Sequence, residues 1–179
     1  LQEDVSATYK SSHSAALGAA GTRGNTKIYV TAEWFDAIDR YDVLETEPFV
    51  SQTEGDTLLN EATHAAEAVF NAGIGLEQIL NPKVRFYGAF RSDASSFIPY
   101  DGRQVSFSTW DIYHLSAGSG FTIGRFALTL GVSYSFGENS VTQPFDPNDL
   151  EATTFNPVDT RDVKYQRFKV LAGLNVGLD

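Results

Sequence analysis

The sequence contains no cysteine, no methionine and no long apolar run. Without cysteine, disulfide bonds, cysteine-ligated zinc and thiol nucleophiles are excluded. No segment approaches the roughly 18 consecutive apolar residues of a transmembrane helix, so that kind of membrane span is excluded as well. Without methionine, Leu1 cannot be the start of a natural translation product, and the N-terminus carries no signal-peptide pattern. We therefore expect these 179 residues to be part of a longer protein.

Basic residues are scarce too. Thirteen Lys and Arg residues stand against 23 Asp and Glu residues, which gives a formal net charge of −10. Because a protein that binds a phosphate backbone normally presents a basic surface, we expect no nucleic-acid partner. The three histidines, His13, His64 and His114, are far apart in sequence and lack the spacing of a metal-binding motif.

The sequence does contain a repeated alternation of apolar with small or polar residues, which is typical of β-strands. The clearest case is FALTLGVSYSF at residues 126–136. Seven segments alternate in this way: residues 12–20, 28–34, 67–76, 84–91, 113–121, 126–136 and 167–178. Several run about nine to eleven residues, the length of a tilted membrane-spanning strand, whereas strands of soluble proteins average about five or six. The pattern predicts an all-β, antiparallel fold.

The connections between these segments alternate between short and long. The short ones, at residues 21–26, 77–83 and 122–124, contain Gly, Asn or Pro suited to tight turns. The long ones are polar and cover residues 36–61, 92–106 and 137–162. Strict alternation predicts that all short turns lie at one end of the sheet and all long loops at the other. Transmembrane β-barrels have this arrangement, with short periplasmic turns and long extracellular loops.

The stretch at residues 56–70 is consistent with two different secondary structures. Its apolar residues fall on one helical face, and Asp56 with Thr57 could cap such a helix. These apolar residues are Leu58, Leu59, Ala62, Ala65, Ala66, Val69 and Phe70. The pattern is consistent with a short helix ahead of a strand from about Glu67, and equally with a strand that begins near Thr63.

Aromatic residues collect where the predicted strands end. Those near the long loops are Trp34, Phe35, Phe90, Trp110, Phe136, Tyr165 and Phe168, and Phe121 and Phe126 mark the opposite end. Two such groups are typical of the aromatic girdles that membrane barrels place at both headgroup levels. Trp110 lies four residues before His114, so both would be on the polar face of a regular strand (the same parity). Only a β-bulge between them would turn Trp110 toward the girdle.

The opposite face of the predicted strands is small and polar, which suits a wet barrel lumen. The residues that we expect to line this lumen are Arg85, Tyr87, Arg91, His114, Arg125, Arg167, Lys169, Glu33 and Glu67. Charges in a buried lumen must pair, and a lumen cation could also meet a carboxylate headgroup. A hairpin centred near Leu80 would further place Gly73 opposite Tyr87 and Gly75 opposite Arg85, so that large side chains cover the glycines.

His114 is the residue that most resembles a catalytic group, because it is predicted to point inward near Asp111 and within reach of Ser116 or Ser133. The nearby GSG at residues 118–120 is not a nucleophile elbow, since no strand–turn–helix surrounds it. We interpret His114 as a hydrogen-bonded lumen histidine and expect no enzymatic activity.

The long loops are acidic, and one could hold a metal ion. Asp146, Asn148, Asp149 and Glu151 are spaced closely enough to bind Ca²⁺, although they lack the spacing and the glycine of an EF-hand. Solvated surface loops are the simpler interpretation, and we expect no other cofactor.

The odd number of strands is informative. Single-chain bacterial barrels close with an even number, because an unpaired edge in lipid leaves backbone groups without partners. Residues 1–179 are therefore predicted to be a single barrel segment whose other strands come from another segment or chain. Seven strands would be half of a barrel of about 14 strands.

Four stretches resemble a known family: AEWF at residues 32–35, NAGIGLE at 71–77, DIYHLSAG at 111–118 and LGVSYSFG at 130–137. They look like C-terminal strands of the long-chain fatty-acid transporter family of bacterial outer-membrane proteins. The resemblance implies a barrel of about 14 strands that passes hydrophobic molecules such as fatty acids passively, with a plug supplied by its N-terminal part. This chain differs in two ways, since the plug is not among these residues and the last residues are Leu178 and Asp179 rather than a terminal aromatic.

Two other functions remain open at this point. One is an outer-membrane barrel that serves assembly or surface attachment without transport, with a lumen filled by side chains. The other is a soluble, lipocalin-like barrel, in which the apolar face points inward and binds a ligand.

Overall fold

The structure is a computed structural model that describes residues 5–44, 46–50, 55, 57–58, 62–98, 109–143 and 159–177. The described residues form antiparallel β-strands, which confirms the all-β prediction. The strands are β1 (Ser14–Arg23), β2 (Thr26–Phe35), β3 (Ile38–Leu44), β4 (Phe49–Val50), β5 (Thr57–Leu58), β6 (Ala62–Ala66), β7 (Val69–Asn81), β8 (Val84–Asp93), β9 (Asp111–Ile123), β10 (Phe126–Gln143) and β11 (Asp159–Val176). No helix among the described residues is long and apolar enough to cross a membrane.

Seven of these strands form one sheet in the order β1-β2-β7-β8-β9-β10-β11. Each segment predicted from alternation contributes one strand to it. The longest ladder joins β10 to β11 in unbroken register from Phe126↔Val176 to Gln143↔Asp159. Within the described residues the sheet is open, because β1 and β11 each have a single neighbour.

The tight turns lie together at one end of this sheet. They occupy residues 24–25, 82–83 and 124–125, as the short connections predicted. Gly24 and Gly124 both have a φ of 59°, a left-handed conformation that favours glycine. Backbone hydrogen bonds join the neighbouring turns, since Ile79 N–H donates to Asn25 O at 2.8 Å and Thr122 N–H donates to Lys83 O at 2.8 Å. We call this end the turn end and the opposite end the loop end.

Two smaller ladders contain strands β3, β4 and β5 from the predicted long loop at residues 36–61, together with β6, which follows it. β3 pairs with β6 through partners such as Tyr41↔His64, and β4 pairs with β5. The helical alternative for residues 58–70 is wrong where the structure describes them, because residues 62–66 form strand β6. Pairing with β3 decided the structure of this alanine-rich segment, whose local pattern suited both forms.

The chain divides into two compact units. One comprises Leu1–Ala16, Glu33–Phe70 and Ser95–Thr109, and the other comprises Leu17–Ala32, Asn71–Ala94 and Trp110–Asp179. In the first unit, residues of β6 form the buried centre, with Thr63 2% exposed and Ala66 6% exposed.

The predicted register of the β7–β8 hairpin is wrong. Gly73 lies opposite Arg91 and Gly75 opposite Ala89, so the hairpin is centred two residues later than Leu80. The turn forms at residues 82–83, where Asn81 Oδ1 accepts a hydrogen bond from the Lys83 N–H at 2.9 Å. The side chain of Asn81 thus stabilises a later turn than the sequence suggested.

The seven-stranded sheet has two faces of different character. One, which we call the apolar face, presents large apolar side chains that are each at least a third exposed. They include Ile28, Val30, Ile74, Leu76, Phe86, Phe90, Tyr113, Leu115, Phe126, Leu128, Leu130, Val132, Tyr134, Phe168, Val170, Leu174 and Val176. The alternate residues of the same strands form the polar face, which carries Gly, Ser and Thr with charged side chains.

Candidate functional site on the polar face

Polar-face residues line up in rows across the sheet, because the register of β7 to β11 is continuous there. One row near the turn end contains Arg85, Gly120, Thr129 and Gly173. The next three rows, moving toward the loop end, are Glu77–Tyr87–Gly118–Gly131–Leu171, Gly75–Ala89–Ser116–Ser133–Lys169 and Gly73–Arg91–His114–Ser135–Arg167. The structure therefore places six of the predicted site residues in four adjacent rows.

A buried carboxylate joins three strands near the turn end. Glu77 is only 6% exposed and accepts a hydrogen bond from the Tyr29 hydroxyl at 3.0 Å. Its carboxylate also lies 3.5 Å from Arg85 Nη1 and 3.8 Å from Lys27 Nζ. Two cations and one hydroxyl satisfy the charge that burial would otherwise penalise. Sequence reasoning missed this cluster because the misplaced hairpin centre put Glu77 in a turn.

Large side chains do cover polar-face glycines, although the partners differ from the predicted ones. A Cβ at Gly75 would lie 3.6 Å from the Tyr29 side chain, and one at Gly120 would lie 3.2 Å from Tyr87 Oη and 3.1 Å from Arg85 Cγ. Glycine at these positions leaves room for the larger side chains of the neighbouring strands to lie flat on the sheet.

His114 contacts a serine and a carboxylate. Its Nδ1 lies 2.8 Å from Ser135 Oγ, and its Nε2 lies 3.7 Å from Asp93 Oδ2. The predicted partners Ser116 and Ser133 lie in the neighbouring row, because direct register brings Ser135 opposite His114.

Serine, histidine and aspartate together have the composition of a hydrolytic triad, but the surroundings do not suit nucleophilic attack. Ser135 is only 5% exposed. Its strand, β10, is paired on both sides, so the backbone N–H groups around it are used in the ladders and leave no pair to bind an oxyanion. The arrangement fits a hydrogen-bonded histidine.

Cations without ionic partners lie toward the loop end. Among the described residues, Arg91, Arg167 and Lys169 make no ion pair. A cleft of about 300 Å³ begins in the row of Lys169, one row from Arg91 and Arg167. Its lining includes the side chains of Tyr29, Tyr87 and Leu171 around small residues such as Gly118. This part of the polar face therefore combines free positive charge with an apolar cleft.

The other three predicted lumen residues lie outside these four rows. Glu33 is on β2 and has the parity of Tyr29, so it belongs to the polar face of that strand. Glu67 was predicted to begin a strand, but β7 begins at Val69, and the Glu67 N–H donates to Ser96 O at 2.9 Å instead. Arg125 lies in a hairpin turn, with its guanidinium 5.5 Å from the ring centre of Phe126.

The predicted metal ligands Asp146, Asn148, Asp149 and Glu151 lie outside the described residues. Within the part of the chain that the structure describes, no group of three or more His, Asp or Glu residues is arranged to hold a metal ion.

An aromatic cluster lies on the apolar face near the loop end. The Tyr113 ring lies 6.0 Å from Phe90 and 5.7 Å from Phe136, and Phe136 lies 5.6 Å from Tyr134. One row further toward the loop end, the same face becomes charged, with Glu138 between Asp111 and Lys164. The apolar band of this face therefore ends abruptly after its aromatic row.

Of the seven aromatic residues predicted near the long loops, Phe90 and Phe136 belong to this cluster, whereas Tyr165 and Trp110 contact each other. Tyr165 has the parity of Arg167 and Lys169 on β11, so it belongs to the polar face. The Trp110 ring lies 6.4 Å from Tyr165. β9 keeps an unbroken register with β10 from Asp111 and with β8 from Ile112, so these ladders contain no bulge that would turn Trp110 toward the apolar face.

No protein-family model matches the chain, and no curated protein matches it significantly. The resemblance to the fatty-acid transporter family therefore stays a prediction.

Proposed function

We propose that this chain is a segment of a bacterial outer-membrane β-barrel, with its apolar face toward lipid and its polar face toward the lumen. We further propose that the complete barrel passes hydrophobic molecules such as fatty acids passively. The observation that carries the proposal is the continuous apolar face of the seven-stranded sheet, whose large side chains are exposed.

The extent of this face supports contact with lipid. With exposures of 37% for Leu128 to 71% for Val170, the face presents apolar surface on the order of 1,000 Å². The largest patch on a typical soluble monomer is about 300–600 Å². At about 25 cal/mol per Å², leaving this area in water would cost on the order of 25 kcal/mol. Transfer of this face from water to an apolar environment is therefore strongly favourable.

The length of the apolar band matches a membrane. From Phe126 to Phe136, β10 rises about 34 Å along the strand. A tilt of about 40° reduces this to about 25 Å, the height of the apolar band in outer-membrane barrels. The charged row at Glu138 and Lys164 then falls at headgroup level, just beyond the aromatic cluster. The short turns would face the periplasm, and the long acidic connections would face the exterior.

The polar face supports passage of an amphipathic acid. A carboxylate headgroup can pair with the free cations Arg91, Arg167 and Lys169 through charge-assisted hydrogen bonds. An alkyl chain can lie in the neighbouring cleft against Tyr87 and Leu171. Both features face the proposed lumen, where a passing fatty acid would meet them.

Uptake of a radiolabelled long-chain fatty acid by cells with and without the full-length protein tests the transport function. We expect uptake to require the protein and to fall severalfold in the double variant R91Q/R167Q. The matched control is Arg125→Gln, which removes a cation from a hairpin turn and should leave uptake unchanged.

Each alternative function predicts a different result. Equal uptake with and without a membrane-embedded protein would favour an assembly or attachment barrel without transport. A protein that is soluble without detergent would favour the lipocalin-like alternative, in which the apolar face is a ligand-binding interior.

A further inference from the structure

We infer that the polar face recognises a phosphate monoester on a single alkyl chain in preference to a fatty-acid carboxylate. The inference rests on the proposed transport function and deepens it by naming the substrate class of the same site. It follows from the charge around the pair formed by His114 and Ser135, and from the cleft that begins beside this pair.

Two arginines flank the His114–Ser135 pair in its own row. Direct register places Arg91 of β8 beside His114 and Arg167 of β11 beside Ser135. Because neighbouring strands are about 4.8 Å apart, the two arginine Cα atoms are about 14 Å apart, and both side chains can extend over the pair toward one ligand. Lys169 lies in the adjacent row, on the same face of β11 as Arg167, because side chains alternate along a strand. An anion above the pair can therefore contact three cations.

The side chains around the pair have a net charge of +2, with His114 counted as uncharged. In the row of the pair and in the two adjacent rows, the described strands β8 to β11 carry three cations and one carboxylate, which are Arg91, Arg167, Lys169 and Asp93. The three cations make no ion pair with other described residues. Asp93 Oδ2 lies 3.7 Å from His114 Nε2. These surroundings suit an anion with more than one negative charge.

A phosphate monoester complements this charge better than a carboxylate does. It carries about −1.5 to −2 charge at pH 7 and neutralises nearly all of the positive excess, whereas a carboxylate carries a single negative charge. Its three terminal oxygens can also accept charge-assisted hydrogen bonds from Arg91, Arg167 and Lys169 separately. A carboxylate has two oxygens and leaves one cation without an acceptor of its own.

The apolar cleft favours a single alkyl chain on this phosphate. The cleft begins in the row of Lys169 and extends toward the turn end between Tyr87 and Leu171, over Gly118 and Gly131. Its volume of about 300 Å³ is at the lower end of the range of about 300–1,000 Å³ for small-ligand sites. This volume suits one chain better than the two chains of a diacyl lipid.

Equilibrium binding of matched ligands tests the inference. The full-length protein in phospholipid nanodiscs is titrated at neutral pH with radiolabelled dodecyl phosphate or dodecanoate, and uptake by protein-free nanodiscs is subtracted. We expect dodecyl phosphate to bind about tenfold tighter, because it makes a further charge-assisted hydrogen bond. Dodecyl methyl phosphate keeps the tetrahedral head with a single charge and should lose this advantage. Inorganic phosphate leaves the cleft empty and should compete only at far higher concentration.

Three variants test the residues. Lys169→Gln should weaken binding of dodecyl phosphate more than that of dodecanoate, because it removes the third cation. Asp93→Asn should have the opposite effect and strengthen binding of dodecyl phosphate, because it removes the negative charge beside His114. Lys164→Gln is the matched control, since Lys164 is on the same strand as Lys169 but on the opposite face, and it should leave both affinities unchanged.

Three results would overturn the inference and leave the proposed function intact. Dodecanoate that bound as tightly as dodecyl phosphate would show that the site does not select charge. Inorganic phosphate that bound as tightly as dodecyl phosphate would indicate a site for free phosphate. A preference for dodecyl phosphate that Lys169→Gln left unchanged would place the head elsewhere. If neither dodecyl ligand bound, the proposed function would fail together with the inference.

Discussion

An arginine substitution should lower the stability of the protein much more on the apolar face of β10 than on its polar face. Leu130 lies near the middle of the apolar band and is 43% exposed. If it faces lipid at mid-membrane, Leu130→Arg should lower the free energy of unfolding by about 2–4 kcal/mol, which is the cost of a cation at that depth. This corresponds to a factor of about 30 to almost 1,000 in the folding equilibrium.

The matched control is the neighbouring residue on the other face. Thr129 is exposed and pairs with Gly173, which has no side chain, so an arginine side chain has room there and points into the proposed lumen. Thr129→Arg should therefore change the unfolding free energy by less than about 0.5 kcal/mol, as at an ordinary surface position. Phe126→Arg, at the turn end of the band, should carry an arginine cost nearer 0–1 kcal/mol because that cost declines toward the interface.

The assay is urea unfolding of the full-length protein in phospholipid vesicles, followed by circular dichroism of its β-structure. Comparing Leu130→Arg with Thr129→Arg in one strand separates the effect of lipid from the general effect of adding a charge. The reasoning would be refuted if the two variants lost the same stability, or if Leu130→Arg cost as little as a surface substitution.

Three further changes test the site and the packing. Gly118→Ala should destabilise the sheet by about 1–3 kcal/mol because a Cβ there would lie 2.8 Å from Leu130 O, whereas Gly88→Ala has nothing within 4 Å and should be tolerated. In the same urea assay, a smaller effect of the first change than of the second would contradict this packing. Glu77→Ala should lower the free energy of unfolding by about 1–3 kcal/mol, because it leaves a tyrosine hydroxyl and two cations without their carboxylate. A variant as stable as the wild type would show that the cluster does not form. We expect both the wild type and His114→Ala to hydrolyse a long-chain nitrophenyl ester only at the background rate. Ester hydrolysis by the wild type that His114→Ala abolished would contradict the structural role of the histidine.

Sequence alternation was sufficient to predict the strands of the main sheet. In β10 the large residues Phe126, Leu128 and Leu130 share one face because side chains alternate along a strand, and no tertiary information is needed. The tight turns were equally visible, since Gly24 and Gly124 supply the left-handed conformations that such turns use.

What the sequence did not reveal depended on contacts between strands. The β7–β8 hairpin turns at residues 82–83, where the Asn81 side chain accepts a hydrogen bond from the Lys83 N–H. The predicted centre lay two residues earlier, so the sequence analysis placed Glu77 in a turn and missed its cluster. Strand β6 exists because β3 pairs with it, although its own residues suit a helix as well. The partners of His114 likewise follow from register, which alternation within one strand does not specify.

The most direct test of the central claim is a spin-label scan of residues 126–136 in the full-length protein reconstituted in lipid. Each position is labelled in turn through a single cysteine, and the accessibility of the label to oxygen and to a water-soluble nickel complex is measured. We predict a period of two, with even positions accessible to oxygen in lipid and odd positions accessible to the nickel complex in the lumen. Even positions shielded from both reagents would place the apolar face in a protein interior and contradict the membrane assignment.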